Sequence, residues 1–452
     1  MGSENSKPAT RVGIISLGCS KNLVDTEIML GLLSDAGYQI VSSAGEADVV
    51  IINTCGFITP AKEEALETIF KTAGLKKEGR LKGLLVAGCL AQRHGQELLA
   101  EMPEIDGILG TGEIERVASL VEAAMNGERL CAIGSPGFDY GRVMTRKLAT
   151  PGHWAYVKIA DGCSNRCTYC AIPGIRGNYR SRPVEVLEDE VSGLVAGGVK
   201  EIIVVAQDTT AYGLDLYGRP RLADLLERLA ARGVPWIRVM YCYPTGFTPE
   251  LISVMGREEN ICSYVDLPLQ HINEGILRRM NRRGGTDQIK RLIHHLREAL
   301  PRLTLRTTFM VGFPGEDEAQ FEELYRFVEE TRFERLGVFK FCPEEGTPAS
   351  LMEDTVSEEV KEYRYHSLMS LQKGISLSLN QSRAGSVVRV MVDGKRPGRA
   401  RLYYGRTAGD APEVDGSVLL SPAGRGDIQP GQFVEVSVTK GFDYGLRGVL
   451  VP

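Results

Sequence analysis

The first part of the chain alternates short apolar runs with helical patterns. Apolar runs occupy residues 11–17, 48–53 and 81–87. After the first run, Ile28 and Leu32 are spaced four residues apart, as on one face of a helix. Strands that alternate with helices in this way predict a parallel α/β sheet.

A second alternation of strands and helices follows a stretch rich in glycine and proline. Six apolar runs are predicted as its strands, at residues 155–159, 201–206, 236–241, 264–267, 303–311 and 336–341. Eight such units close a TIM barrel, so six units predict a partial (β/α)6 TIM-like barrel. Because such a barrel is open on one side, it would admit a large substrate.

The last part of the chain changes its period from helical to alternating. Residues 358–379 carry a helical pattern, and valines then alternate at positions 388, 390 and 392 and again at 434, 436 and 438. Asp393 and Gly394 are predicted to form a hairpin turn after the first of these runs. Short alternating strands over about 70 residues predict a small antiparallel β-barrel of OB-like character.

These patterns divide the chain into five segments. We predict a disordered leader at 1–10, an N-terminal α/β domain at 11–133, a linker at 134–150, a barrel at 151–382 and a C-terminal β-barrel at 383–452. The apolar runs are far shorter than the roughly 20 residues that a membrane span needs. The first ten residues are polar, which predicts a cytoplasmic protein with reduced cysteines and favours metal binding over disulfides.

Six of the ten cysteines form two sets of three. Cys19, Cys55 and Cys89 each follow a predicted strand, and the carboxyl ends of parallel strands lie along one edge of a sheet. The sequence therefore predicts that these three thiols meet in space. An iron-sulfur cube normally takes four thiolates, so three leave one iron open to a ligand that is not protein.

The second set lies within a single short loop. Cys163, Cys167 and Cys170 have the spacing C-x3-C-x2-C and follow the first barrel strand, where barrel active sites lie. A zinc site is the alternative, but it would need a fourth ligand, and the nearest histidine, His153, precedes the strand. The spacing favours a second cube.

This loop, with Tyr169 before its last cysteine, resembles the radical S-adenosylmethionine (SAM) superfamily. The resemblance implies that the open iron chelates SAM and releases a 5′-deoxyadenosyl radical, which the protein positions. From about residue 11 to the end, the chain is similar to the methylthiotransferases. These combine an N-terminal three-cysteine domain, a radical SAM barrel and a C-terminal TRAM domain.

Within that family, segments 16–25 and 53–58 resemble the branch that modifies small-subunit ribosomal protein S-twelve (uS12). Segments 205–213 and 267–271 resemble the same branch. The branch that modifies tRNA tends to have Gln-Met-Asn after its first cysteine, where this chain has Ser-Lys-Asn at 20–22. Ser20 departs from the proline that is more frequent in the ribosomal branch.

The resemblance implies two 4Fe-4S clusters, two SAM molecules and an electron donor such as flavodoxin or ferredoxin. The methylthio group would be added to the β-carbon of an aspartate of uS12. Two alternatives stay open. One is methylthiolation of isopentenyladenosine in tRNA, and the other is a non-catalytic iron-sulfur carrier with an RNA-binding tail.

Four residues beyond the cysteine loop and Tyr169 are candidate SAM contacts. Gln207 and Asp208 follow the second barrel strand, although strand ends are polar in any case. Gly312 would let the backbone approach an adenine, or would simply form a strand-to-helix turn. Arg306 would contact an anion from inside its strand, or would pair with a core carboxylate.

Charge and the remaining residues change the picture little. The net charge is −5, while residues 383–452 hold ten Lys and Arg against seven Asp and Glu. This basic, aromatic segment would suit contact with RNA. The arginines at 278, 279, 282 and 283 are predicted to form a solvated helix face, with a docking patch as the alternative. Cysteines 131, 242, 262 and 342 are predicted to be core residues.

Overall fold

The computed structural model describes residues 10–137, 141–142, 144–353, 355–398, 402–421 and 427–451. The leader predicted at 1–10 lies outside these ranges except for Thr10. Within them, the strands form two six-stranded sheets, a closed five-stranded barrel and one two-stranded pair. No helix in this part of the chain is both long and apolar enough to span a membrane.

The first sheet has six parallel strands in the order β2-β1-β3-β4-β5-β6. They are β1 (Arg11–Ser16), β2 (Gln39–Val41), β3 (Val49–Thr54), β4 (Gly83–Gly88), β5 (Gly107–Leu109) and β6 (Leu130–Ala132). The helices are α1 (Ser20–Asp35), α2 (Thr59–Lys77), α3 (Cys89–Glu101) and α4 (Val117–Met125). Every residue of β3 is buried, as in a parallel sheet covered on both faces. The predicted parallel α/β sheet is confirmed.

The second sheet also has six parallel strands, each beside its neighbour, in the order β14-β13-β12-β11-β10-β7. They are β7 (Trp154–Lys158), β10 (Glu201–Val205), β11 (Trp236–Val239), β12 (Ile261–Gln270), β13 (Thr304–Val311) and β14 (Arg335–Lys340). A short antiparallel pair, β8 (Ala160–Asp161) and β9 (Arg180–Ser181), lies beside it. Because β7 and β14 remain edges, the predicted partial barrel is confirmed.

Nine helices are described around and after this barrel. They are α5 (Ile172–Arg176), α6 (Val184–Ala196), α7 (Leu214–Tyr217), α8 (Leu222–Ala230), α9 (Pro249–Arg257), α10 (Glu274–Arg279), α11 (Thr286–Ala299), α12 (Glu318–Thr331) and α13 (Glu358–Gln381). Short 3-10 turns lie at Ala44–Glu46, Ile114–Arg116, Thr209–Ala211, Pro244–Gly246 and Pro348–Leu351. The core fills the space between the strands and these helices with Val, Ile and Leu side chains, such as Val204, Leu226 and Leu305.

The C-terminal strands close into a five-stranded barrel in the order β15-β16-β17-β19-β18. They are β15 (Val387–Lys395), β16 (Tyr403–Arg406), β17 (Ser417–Ser421), β18 (Phe433–Phe442) and β19 (Gly445–Leu450). The small barrel is confirmed, but one of its pairs, β17 with β19, is parallel and not antiparallel.

The predicted hairpin turn at Asp393 and Gly394 is wrong. Both residues lie inside β15, where the register with β16 shifts between Val392 and Gly394. The carboxylate of Asp393 finds its hydrogen-bond partners from within the strand, because it accepts from His153 and Arg406. These contacts between distant residues favour the extended strand over the turn that the local sequence predicts.

Ion pairs join the small barrel to the amino-terminal halves of the large-barrel strands. Arg335 donates a hydrogen bond of 2.5 Å to Asp410, and Arg306 lies 3.6 Å from Asp415. Both aspartates belong to the segment that links β16 to β17. The small barrel therefore covers one end of the large barrel. The N-terminal domain lies at the opposite, carboxyl end, where Lys158, the last residue of β7, pairs with Asp25 of α1.

Candidate active site

The three dispersed cysteines of the N-terminal domain lie at the ends of neighbouring strands. Cys19 precedes α1, Cys55 follows β3 directly, and Cys89 is the first residue of α3. Since β1, β3 and β4 are adjacent in the sheet, their carboxyl ends meet at one edge. The structure thus brings the first cysteine set together.

Asn22, in the first turn of α1, ties the three strand ends to one another. Its side-chain amide donates hydrogen bonds to the carbonyl oxygens of Leu17 (3.2 Å) and Thr54 (2.8 Å). Its Oδ1 accepts a contact of 3.5 Å from the Sγ atom of Cys89. Because Asn22 is fully buried, these bonds fix the loops that carry the first cysteine set.

The second cysteine set lies in the loop between β8 and α5. Cys163 and Cys167 are buried, and Cys170 is partly buried. The end of α10 holds this loop, because Thr168 donates from its backbone to Met280 O (3.0 Å) and from its hydroxyl to Arg279 O (2.9 Å). The loop is therefore positioned by the barrel as well as by its own short spacing.

Burial opposes ionisation of four of these six thiols. It raises the pKa of Cys55 to about 12, that of Cys163 to about 11 and that of Cys170 to about 12. Desolvation opposes ionisation of Cys19 as well, but Lys21 and other nearby groups outweigh it and lower the pKa of this thiol. Binding of a cationic cluster must therefore displace protons from most of the ligands.

A buried polar group connects the two cysteine sets, and we call it the Arg176 bridge: Asn22, Asp25, Lys158, Asp161 and Arg176. Arg176 Nη2 donates to Asn22 Oδ1 (2.5 Å) and to Asp25 Oδ2 (2.9 Å). Its Nη1 donates to Asp161 Oδ2 (3.1 Å), two residues before Cys163. Lys158 pairs with both aspartates, so two cations balance two anions.

Tyr169, Gln207 and Asp208 lie around the second cysteine loop. The Tyr169 hydroxyl accepts a hydrogen bond from Arg282 (3.0 Å). Gln207 donates to Asp161 (2.9 Å), and its buried Oε1 atom has no hydrogen-bond partner in the described part of the structure. Asp208 caps the turn at Thr209–Ala211 and accepts from Asn165 of the loop, so its carboxylate is already engaged.

Gly312 and Arg306 lie in other surroundings. Gly312 has φ = +71°, and a Cβ atom there would collide with the side chain of Lys361 on α13. The contact with Lys361 therefore explains why residue 312 is a glycine, in agreement with the alternative of a strand-to-helix turn. A contact between Gly312 and an adenine stays a prediction. Arg306 donates to Asp266 (2.7 Å) near the end covered by the small barrel. Arg306 thus has the core carboxylate partner that the alternative predicts, and its contact with an anion stays a prediction.

Three family models match successive parts of the chain. They describe the Uncharacterized protein family UPF0004 at residues 11–110, the Radical SAM superfamily at 157–328 and the TRAM domain at 384–451. Together they cover the N-terminal sheet, most of the large barrel and the small barrel.

Close relatives match almost the whole chain. Ribosomal protein uS12 methylthiotransferase RimO from Heliobacterium modesticaldum is 50% identical over 440 residues, which cover 97% of this chain and 94% of the relative. The RimO protein of Desulforudis audaxviator is 49% identical and is covered to 96%, again with 97% of this chain. The chain belongs to the RimO family. The family predicted from the cysteine motifs is confirmed.

Solved structures share the fold at much lower sequence identity. The radical S-adenosylmethionine methyltransferase TsrM from Kitasatospora setae superposes with a TM-score of 0.58 at 14% identity, over 91% of this chain and 85% of TsrM. The cobalamin-dependent S-adenosylmethionine radical enzyme OxsB matches with a TM-score of 0.51 at 12% identity, over 80% and 58% of the two chains. These likenesses support the fold of this RimO-family chain and nothing finer.

The donor sets of this RimO-family chain fit the clusters that the family uses. Each set offers three thiols, and an unpartnered Gln207 Oε1 lies beside the second set. In the described ranges, no three His, Cys, Asp or Glu side chains are close enough to share one metal ion. The thiolates of a cube each bind a different iron, so they stand further apart than the ligands of a single ion.

Several residues at this site were not predicted from the sequence. The sequence predicts Arg282 on a solvated helix face. In the structure its Cζ atom lies 4.6 Å from the ring centroid of Tyr243, and its Nη1 atom lies 3.9 Å from Cys167 Sγ. Buried Glu344 accepts from Thr59 N (2.7 Å), at the start of α2 beyond Cys55. Each contact joins residues far apart in sequence, so no local pattern could have found it.

The other four cysteines are divided between the core and the surface. Cys242 and Cys262 are buried, as predicted. Cys131 and Cys342 are exposed, so the core prediction is wrong for both. Cys131 lies on β6, the edge strand of its sheet, where one side of the strand has no neighbour to cover it.

We expect Gly18→Ala to disturb the first cysteine site. Gly18 has φ = +89°, which costs alanine roughly 1–2 kcal/mol, and the added methyl would lie 2.7 Å from Cys55 Cβ. Gly37→Ala is the matched control, because Gly37 has φ = +85° and open space around it. Both variants should unfold at lower denaturant concentration, but only Gly18→Ala should lose iron after anaerobic reconstitution. Equal iron in the two variants would contradict the prediction.

Proposed function

We propose that the chain transfers a methylthio group to the β-carbon of an aspartate of ribosomal protein uS12. It uses two SAM molecules and two 4Fe-4S clusters. The relatives that match 97% of the chain are named for methylthiotransfer to uS12. The structural observation that carries the proposal is the Arg176 bridge, which joins two separate three-cysteine sets through buried ion pairs.

In this proposal the two sets hold different clusters. Cys19, Cys55 and Cys89 would hold the first, and the loop cysteines 163, 167 and 170 would hold the second. When bound, the clusters and SAM supply the radical and sulfur chemistry that amino acids lack. Gln207 Oε1 is the acceptor that would bind a polar group of SAM, and Tyr169 would line the same site.

The protein's own residues position these parts. The Arg176 bridge fixes the distance from α1 to the cysteine loop, because a buried and fully paired network resists displacement. Arg282, three residues after the end of α10, contacts the loop at Cys167, and Asn22 holds the strand ends of the first set. The open side of the barrel, between β7 and β14, gives a large substrate a route to the site.

We also propose the surroundings in which the enzyme works. An electron donor such as flavodoxin or ferredoxin would reduce the second cluster, and the small barrel, which matches the TRAM domain, would contact RNA. We propose the cytoplasm as the location of the enzyme, where its ribosomal substrate would be found. We also propose that the domains end at residues 133, 150 and 382, as the sequence predicts.

Mass spectrometry of uS12 and of tRNA nucleosides from a deletion strain tests the function. We expect uS12 to lose the mass of its methylthio group while the tRNA nucleosides stay unchanged, and a plasmid copy of the gene should restore the mass. An unchanged uS12 mass with altered tRNA would establish the tRNA alternative instead. Absence of SAM cleavage to 5′-deoxyadenosine by the reduced, reconstituted protein would favour a non-catalytic carrier.

A further inference from the structure

A buried lysine lies between the first cysteine set and the mouth of the barrel. Lys21 is in the first turn of α1, two residues after Cys19, and only 6% of it is exposed. Its Nζ atom lies 3.2 Å from the ring centroid of Tyr241, which follows the carboxyl end of β11. The N-terminal domain thus places a cation on the face of the barrel where barrel enzymes carry out their chemistry.

This lysine differs from the other buried cations of the chain. Eight Lys and Arg residues are buried in the described ranges, and seven of them lie within 4.0 Å of a carboxylate. Lys21 is the exception, and its contact there is the ring of Tyr241. A buried charge without a carboxylate partner costs several kcal/mol. Its cation-π contact returns about 0.5–2 kcal/mol, and Lys21 also favours ionisation of the Cys19 thiol. The balance points to an anion that joins the site on binding.

The backbone of Tyr241, whose ring packs against Lys21, is strained and is held by hydrogen bonds. Tyr241 has φ = +61°, in the left-handed region that a tyrosine seldom adopts. Hydrogen bonds hold both sides of this residue, from Tyr241 N to Asp266 (2.9 Å) and from Thr209 N to Tyr241 O (3.0 Å). Gln270, at the end of the next strand, has φ = +72°. Strain of about 1–3 kcal/mol per residue is retained mainly at functional sites.

The chemistry of the substrate identifies the anion. In an aspartate side chain the γ-carboxylate is bonded directly to the β-carbon, so a group that binds this carboxylate fixes the carbon to be modified. We propose that Lys21 binds the γ-carboxylate of the substrate aspartate above Tyr241. This inference rests on the proposed function and names the residue that selects its substrate.

A double-mutant cycle between enzyme and substrate tests the proposal. The anaerobically reconstituted full chain and its Lys21→Met variant are titrated with purified uS12, and with uS12 in which the target aspartate is asparagine. We expect Lys21→Met to weaken binding of unaltered uS12 by about 30-fold or more, as loss of one partner of a buried charge pair does. The uS12 variant with asparagine should bind the unaltered enzyme with a similar loss of affinity. Combining this variant with Lys21→Met should reduce the affinity little further than either change alone. Lys21→Arg should retain most of the affinity.

Controls separate this role from a role at the cluster. Lys77→Met, at a lysine whose side chain is 71% exposed on α2, should bind uS12 normally. Lys21→Met should keep the iron content and electron paramagnetic resonance spectrum of the unaltered chain. A changed spectrum with unchanged uS12 affinity would overturn the proposal and assign Lys21 to the cluster. The asparagine substrate needs no altered enzyme, so equal affinity for the two substrates would overturn the proposal even if Lys21→Met failed to fold. If the unaltered enzyme left uS12 unmodified, the proposed function itself would be wrong.

Discussion

Replacing Cys55 or Cys167 with alanine is expected to remove about half of the iron from the reconstituted chain, from about eight atoms to about four. The two residues belong to different cysteine sets, and each set has only three thiols. Loss of one leaves two protein ligands, which are too few to hold a cube against chelation. Iron and sulfide are measured after anaerobic reconstitution and desalting.

The two variants should differ in what they can still do. Cys55→Ala keeps the loop cysteines, so it should still cleave SAM to 5′-deoxyadenosine but should transfer no methylthio group to uS12. Cys167→Ala should lose SAM cleavage as well. Cys131→Ala is the control, because Cys131 is exposed on β6 and belongs to neither set, and it should bind the full amount of iron. A Cys55→Ala protein that retained about eight irons would exclude a cluster at the first set.

Much of this site was predictable because strand ends can be located from the sequence. The apolar runs at 48–53 and 81–87 are long enough to predict buried strands, and each ends within two residues of a cysteine. Parallel strands place their carboxyl ends at one edge, which brings together thiols that are 36 and 34 residues apart. The strands β2, β5 and β6 have three residues each, too few for a period to be recognised.

The parts that the sequence could not reveal depend on how the domains pack. Arg176 and Asn22 are 154 residues apart, and neither lies in a pattern that distinguishes a buried network from a polar surface. Arg282 sits in a run of arginines that is typical of a solvated helix, yet its guanidinium packs on the cysteine loop.

The two ends of the large barrel are thus put to different uses. At one end Arg306 and Arg335 pair with aspartates of the small barrel, which closes that end with buried charge. At the other end the N-terminal domain brings the first cysteine set and Lys21, and the Arg176 bridge joins this set to the second. Because both cysteine sets follow the carboxyl ends of parallel strands, one geometric rule places them at the same interface.

Arg176→Ala is expected to destabilise the protein by roughly 3–5 kcal/mol, the usual cost of removing one partner from a buried ion pair. Arg176 is 2% exposed and holds Asp25 of α1 and Asp161 of β8 at once. Without it, two buried carboxylates lose a cation that both of them contact. Denaturant unfolding monitored under anaerobic conditions should show the shift, and hydrogen exchange should quicken in α1 and in the second cysteine loop.

The same change should separate two activities that the intact site couples. All six cysteines remain, so SAM cleavage should continue, whereas transfer to uS12 should fall because the two sets are no longer held at a fixed distance. Arg326→Ala is the control, since Arg326 is 67% exposed and pairs only with Glu322 on its own helix in the described structure, an interaction of about 0.3–0.5 kcal/mol. Asp25→Asn combined with Arg176→Met should cost less than the sum of the single changes, because each removes the partner of the other. If Arg176→Ala unfolded at the same denaturant concentration as Arg326→Ala, the bridge would not hold the domains together.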